Sequence, residues 1–361
     1  MPDRIYNFAA GPATLPLAVL EEAQADLINM SESGMSLLEM SHRSDTVETM
    51  IKTAEDDIRS LAHIPDNYKI LFLQGGASLQ FSMVPMNLLR PNGSGDHIIT
   101  GHFAKLAFED ARKTGDIRVA GTSEEDKFSR IPGPEECHLN PSADYLHITT
   151  NNTIFGTEWH TEPDSGLIPL VGDTSSNIFS KPIDITKFGL IYAGAQKNLG
   201  AAGVTLVIIR DDLLERSGNE LPSMLNYNSH VKGKSAYNTP PVFGIYILGL
   251  VVKWIKAQGG LTEMGAINAK KAAILYDVID SSGFYTGHAN KYDRSNMNIT
   301  FNLPNEELES EFVKSAALHS MVETKGHRSV GGIRASVYNA FPTDGVHALA
   351  EFMRDFEKTR G

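Results

Sequence analysis

The sequence predicts an α/β protein, with a large unit built on a mostly parallel, mixed sheet between helices and a smaller α/β unit beside it. Two observations carry this. From Tyr68 onward short apolar runs recur at Lys69-Ile70-Leu71-Phe72-Leu73, His97-Ile98-Ile99-Thr100, Tyr145-Leu146-His147-Ile148-Thr149, Leu170-Val171, Leu190-Ile191-Tyr192-Ala193 and Val204-Thr205-Leu206-Val207-Ile208-Ile209, separated by polar or helical stretches. Strands that are apolar on both faces belong in a sheet covered on both sides, which is the habit of parallel sheets. The chain is also long enough, at 361 residues with 41% hydrophobic content, to bury a substantial core in two or three structural units.

Taken in order, Pro16 fits the first turn of a helix that carries Leu17, Leu20, Leu27 and Ile28. A second helix starts near Asp45, with Glu48 three residues on in a capping-box pattern, and buries Val47, Ile51, Ala54, Ile58 and Leu61. Leu79 to Leu89 reads as a helix after the first strand. Pro241 to Val252 is uncharged, but Lys253 closes it well short of the ~20 residues a membrane span needs, so a buried core helix is expected. Beyond Gln258-Gly259-Gly260 come a helix through Ile267, Ile274, Leu275 and Val278, a strand from Met297 to Leu303, and another helix. A strand from Ile333 to Tyr338 and a last helix with Val346, Leu349, Met353 and Phe356 end the chain. The large unit is expected at residues 16–257, and the small one at 1–15 with 258–361. No internal repeat or low-complexity tract interrupts them.

A net charge of -12 argues against nucleic acid as a partner, so any anionic substrate must be met by locally clustered Arg, Lys or His. Cys137 is the only cysteine, which excludes an internal disulfide and a cysteine-based zinc site; no metal is expected. The N-terminus lacks the apolar core of a secretion signal, and a cytoplasmic protein is expected.

In such folds the chemistry lies beyond the carboxyl ends of the strands. The first strand runs into Gln74-Gly75-Gly76-Ala77-Ser78 and a helix, a turn whose backbone N–H groups can hold a phosphate at the helix N-terminus. Asp173 ends the run Leu170-Val171-Gly172-Asp173, where its carboxylate can keep a pyridine nitrogen protonated. Lys197 sits in Ala193-Gly194-Ala195-Gln196-Lys197-Asn198-Leu199-Gly200, between two strand-like runs and among small residues where a surface lysine has no structural purpose. A desolvated lysine near other positive charge is nucleophilic and forms an imine with an aldehyde. Strand, Asp173, strand, Lys197 is the order found in fold-type I enzymes that use pyridoxal 5'-phosphate. No G-x-G-x-x-G follows any strand-like run, and Gly233-Lys234-Ser235 has Asn228 where a P-loop needs glycine, so neither dinucleotide nor P-loop chemistry is expected.

Several motifs make the likeness specific: Asn7-Phe8-Ala9-Ala10-Gly11-Pro12-Ala13, Ser41-His42-Arg43, Gly194-Ala195-Gln196-Lys197-Asn198, Tyr237-Asn238-Thr239-Pro240-Pro241 and the stretch from Lys325 to Ser336. Together these resemble the phosphoserine aminotransferase family, within the class V pyridoxal-phosphate-dependent aminotransferases, essentially end to end. The resemblance implies a homodimer with shared active sites that transfers an amino group between glutamate and a phosphorylated 2-oxo acid, 3-phosphohydroxypyruvate, in serine biosynthesis. Some relatives also accept a phosphorylated hydroxythreonine-type substrate. By the resemblance, Ala77, Ser78 and Gln196 hold the cofactor phosphate, with Asn238 and Thr239 from the neighbouring subunit. Thr153 and Asp173 contact the ring, and Phe103 stacks on it where the family commonly has Trp. Arg334 is implied to clamp the amino-acid carboxylate, while His327 and Arg328 join His42 and Arg43 of the other subunit around the substrate phosphate. Guanidinium groups suit that task, because they bind carboxylate and phosphate at two points. Another class V aminotransferase, such as the serine-glyoxylate type, is the runner-up reading, though it lacks a reason for two His-Arg pairs; a cysteine desulfurase needs a mobile thiol, for which Cys137 is the lone candidate. A non-catalytic pyridoxal-phosphate-binding protein is the alternative from outside enzymology.

Overall fold

The computed structural model describes residues 4–217 and 220–361. Its central sheet runs, in spatial order, Tyr68–Leu73, Thr205–Arg210, Leu190–Gly194, Leu170–Asp173, Tyr145–Thr149, Ser94–Ile99 and Asp116–Thr122. Thr205–Arg210 is antiparallel to both neighbours, and the other adjacent pairs are parallel. All strands but Thr205–Arg210 therefore end on one side. The apolar runs are continuous because both faces are covered: Ile70, Phe72, Leu146, Ile148, Ile191, Ala193, Leu206 and Ile208 join one core, and Leu71, Leu73, Tyr145, Val171, Leu190, Tyr192, Val207 and Ile209 join the other. Successive side chains of a strand point to opposite faces, which sorts the residues into these two sets.

Helix Asp45–Leu61 buries Val47, Ile51, Ala54, Ile58 and Leu61, as its periodicity predicts. Its cap lies one residue earlier than the sequence reading put it. Ser44 has extended backbone and accepts from Val47 N–H (3.4 Å), while Asp45 and Glu48 occupy the first turn, where negative charge suits the helix dipole. Helix Val242–Ala257 is apolar around most of its circumference because it is enclosed, with Ile245, Leu248, Val252 and Ile255 fully buried. Among the described residues no single helix is long and apolar enough to cross a membrane. The edge strand Asp116–Thr122 is absent from the sequence reading for a physical reason: Asp116, Arg118 and Val119 face solvent, so no continuous apolar run marks it.

Three further strands, Thr286–Gly287, Asn298–Asn302 and Ile333–Ser336, form an antiparallel sheet. Their core combines Leu275, Val278, Phe301, Phe312, Val346, Leu349, Met353 and Phe356 with Phe8 from the start of the chain, and Tyr6–Asn7 pairs in parallel with Met321–Val322. Helix Gly260–Ser281 passes between the two regions: Leu261 and Met264 lie in the large core, Ala272 to Ile279 in the small one.

Two buried histidines sit within the sheet. The His97 and His147 rings stack 4.6 Å apart, His147 Nε2 lies 2.8 Å from Tyr192 Oη, and His97 Nε2 lies 3.2 Å from Tyr145 Oη. Neither Nδ1 has a hydrogen-bond partner among the described residues. Burial, and for His97 also its neighbour His147, holds both below the ordinary imidazole range, His147 at about 3. Both rings thus stay neutral in the fold and take up protons only on unfolding. The unfolded chain binds more protons than the folded one below the ordinary histidine pKa of about 6.5, so stability falls as pH drops through that value, with a slope of about 1.4 kcal/mol per pH unit for each histidine. Urea unfolding between pH 7 and 4 should show this fall, and His147→Gln should make the slope shallower by one proton. An unchanged slope would place the acid sensitivity elsewhere.

Candidate active site

Lys197 lies on the loop that joins Leu190–Gly194 to the reversed strand Thr205–Arg210, at the edge where the parallel strands end. Ala195 N–H donates to Val204 O (3.0 Å), closing the loop at its base. The ammonium nitrogen donates to Thr153 Oγ1 (2.8 Å) and Ser176 Oγ (2.7 Å), and these two hydroxyls share a hydrogen bond with each other. Desolvation lowers the Lys197 pKa to about 8; the nearby Arg334 charge pushes the same way, and Asp173 opposes them. The N-terminal segment closes one side of the amine. Ala13 N–H donates to Gln196 O (2.8 Å), and a side chain at Gly11 would press on Lys197, whose Cγ is 3.3 Å from an ideal Cβ there.

Asp173 is buried at the end of its strand, and its Oδ1 accepts from Ser175 N–H (3.0 Å). Burial raises its pKa, while hydrogen bonds from Ser175 and the charge of Lys197 pull the other way. A carboxylate kept in so dry a place favours a positively charged partner. Phe103 lies in the first turn of helix His102–Ala111, which follows strand Ser94–Ile99, and its partly exposed ring has the Lys197 nitrogen 5.6 Å from its centroid. At the strand Tyr68–Leu73 the turn is made by Gly75 (φ +89) and Gly76 (φ +67), a conformation that side chains resist. Helix Gly76–Leu88 follows with no acidic residue in its first turn, so the N–H groups around Ala77 and Ser78 present an uncompensated positive end.

Arg334, on Ile333–Ser336, turns its guanidinium toward the amine's surroundings, and its buried Nε has no hydrogen-bond partner among the described residues. Burial lowers its pKa. His327 lies with its ring 5.9 Å from that of His102 and its Nδ1 2.7 Å from Ser329 Oγ. Burial first, and then the charges of Arg334, His102 and Arg328, depress its pKa. The charges of Arg334 and Arg328 near it favour an anion.

The structure thus brings together Lys197, Asp173, Thr153, Phe103 and Arg334. Other residues singled out by sequence stand apart within a single chain. Arg43 is exposed and His42 half-buried in the turn before Asp45–Leu61, where Arg43 N–H donates to Ser41 Oγ (3.2 Å). Arg328 is exposed. Thr239 is exposed beside half-buried Asn238, and its carbonyl accepts from Gln74 Nε2 (3.2 Å), near the glycine turn of its own chain. Cys137 packs against Gly121 of the edge strand, with its thiol pKa raised by burial, remote from these groups. Sequence reasoning missed Ser176 and His102. The one signal for Ser176 was the hydroxyl run Thr174-Ser175-Ser176 after Asp173, in which nothing marks the residue that faces the lysine.

The donor set suits a flat aromatic aldehyde bearing a phosphate: an amine of lowered pKa, a dry carboxylate, an aromatic face and a helix start stripped of negative charge. Amine-directed labelling of the ligand-free protein should give Lys197 a midpoint near pH 8. Removing one hydroxyl that stabilises the ammonium, by Ser176→Ala, should lower that midpoint by about one further unit. A midpoint above 9 in the unaltered protein would contradict the burial of the amine.

The family model for Aminotransferase class-V matches residues 5–349. Over 356 residues the chain is 52% identical to the phosphoserine aminotransferase of Desulfotalea psychrophila, a match covering 99% of this chain and 98% of that one. The structure of phosphoserine aminotransferase from Bacillus circulans subsp. alkalophilus superposes with a TM-score of 0.97 at 50% identity, covering 99% of each chain. PLP-bound phosphoserine aminotransferase from Trichomonas vaginalis gives 0.93 at 39% identity, over 97% of this chain and 100% of that one. Matched along nearly its whole length, the chain belongs to the class-V aminotransferase family.

Proposed function

We propose that this protein is a pyridoxal-phosphate-dependent phosphoserine aminotransferase, which moves an amino group between glutamate and 3-phosphohydroxypyruvate to give phosphoserine and 2-oxoglutarate. The observation that carries the reading is the Lys197 amine, desolvated and held by two hydroxyls, within the field of an arginine whose Nε lacks a hydrogen-bond partner among the described residues. When bound, pyridoxal phosphate supplies an electron-accepting ring that stabilises charge on the substrate carbon that loses its proton.

The chain's own groups divide the remaining work. Lys197 would hold the cofactor aldehyde, and its amine, when free, would take the proton from the substrate carbon. Its lowered pKa leaves a useful neutral fraction near pH 8, and Thr153 and Ser176 keep the nitrogen in place. Asp173 keeps the ring nitrogen protonated, Phe103 covers the ring, and the first turn at Ala77 and Ser78, with Gln196, takes the phosphate. Arg334 receives the substrate carboxylate at two points. His327 and Arg328 meet the substrate phosphate, and here specificity for a phosphorylated substrate arises.

Two copies complete the site in this reading, each lending His42, Arg43, Asn238 and Thr239 to the other. Its support is the exposure of Arg43 and Thr239, and of apolar Leu17, Leu20, Leu27, Ile28, Met35 and Leu38 on the segment leading to His42, a surface suited to a second copy. We place the enzyme in the cytoplasm, and its acidic balance disfavours nucleic acid as a partner.

Glutamate added to the yellow protein should bleach its visible absorbance, and 3-phosphohydroxypyruvate should restore it. Lys197→Ala should lose turnover almost completely, seen in a coupled assay for 2-oxoglutarate. Arg328→Ala should raise KM for the phosphorylated substrate by about 10- to 100-fold and leave that for glutamate nearly unchanged; equal effects on both would remove the phosphate assignment.

A further inference from the structure

Lys271 is wholly buried on helix Gly260–Ser281. Its ammonium nitrogen shares its three N–H donors among four main-chain carbonyls, those of Val337 (3.0 Å), Tyr338 (2.6 Å), Asn339 (3.4 Å) and Phe341 (3.2 Å), and no carboxylate pairs with it among the described residues. Desolvation presses its pKa down to about 7. A methionine has similar length and no such penalty, so filling space does not account for an ammonium here. The charge does something a methyl group cannot: it gathers four carbonyl dipoles of one short loop around a single point.

That loop holds the surroundings of the reactive lysine from two sides. Asn339 N–H donates to Asn198 Oδ1 (3.0 Å), beside Lys197, and Asn339 Nδ2 donates to Phe179 O (2.9 Å). Tyr338 Oη donates to Ala10 O (2.9 Å), next to the Gly11 that lies against the Lys197 side chain. The loop also continues directly from the strand that carries Arg334. A second tie comes from the same helix, where Asn268 Nδ2 donates to Asn339 Oδ1 (2.8 Å) and Ser180 O (2.9 Å).

We propose that Lys271 is a positioning residue for amino transfer, an internal cation that winds residues 337–341 so that the carboxylate clamp at Arg334 and the amine of Lys197 keep a fixed separation. The proposal rests on the reading of Arg334 given above. Small displacements of a positioning group far from the chemistry lower rates steeply, because the reacting atoms must meet in near-attack geometry.

Lys271→Met tests it. In the intact holoenzyme KM for glutamate should rise about tenfold or more. In the cofactor-free protein the pH midpoint for labelling Lys197 should move upward, because a slackened loop lets water reach the amine and draws the Arg334 charge away. A folded Lys271→Met protein with a lower melting temperature but unchanged KM and unchanged Lys197 midpoint would show a role in stability alone and overturn the proposal. Should that variant not fold, Asn268→Ala, which removes the second tie on the same loop, should give the same pair of changes in weaker form, and their absence would overturn it equally. If the unaltered enzyme fails to act on glutamate at all, the fault lies with the functional reading; the Lys197 midpoint still decides the positioning role.

Discussion

The site depends on keeping one amine dry. An exposed lysine is protonated at neutral pH and inert toward a carbonyl, and the lowered pKa of Lys197 is first of all the work of its enclosure. The loop that carries it exists because strand Thr205–Arg210 runs against its neighbours: the chain must turn back at the carboxyl edge instead of crossing over through a helix. That reversal puts the lysine beside the ends of the parallel strands, where Asp173, Thr153 and Phe103 already stand. The N-terminal segment then lies over it, so residues distant in sequence share one small volume.

Electrostatics is arranged around this enclosure with opposite signs at its two poles. Asp173, held by Ser175, is a buried acidic group, while Arg334, Arg328 and the start of helix Gly76–Leu88 present positive character to an anion. A chain with net charge -12 thereby offers an anion-seeking cleft. Steering by the local field, not by the overall charge, explains how an acidic protein accommodates acidic substrates.

Much of this was legible in the sequence, and what was not has identifiable causes. The doubly buried strands announce themselves because covering both faces leaves no polar position, whereas the edge strand Asp116–Thr122 carries solvent-facing charges and escapes the same reasoning. Lys197 and Asp173 stand out because each is a charged residue amid small or apolar neighbours. Ser176 does not, since one hydroxyl among several in a turn becomes meaningful only once the fold shows which of them faces the amine. Lys271 is hidden for a related reason: on a helix of mixed character its charge looks like an ordinary solvated lysine, and the four carbonyls that receive it come from a loop far along the chain.

Helix Gly260–Ser281 begins among the side chains of the larger core and ends among those of the smaller. A rod embedded at both ends ties the fate of the two regions: neither can melt fully without stripping half the packing from a helix that the other needs. The protein is therefore built to come apart as one cooperative body, and its cleft is lost or kept as a whole.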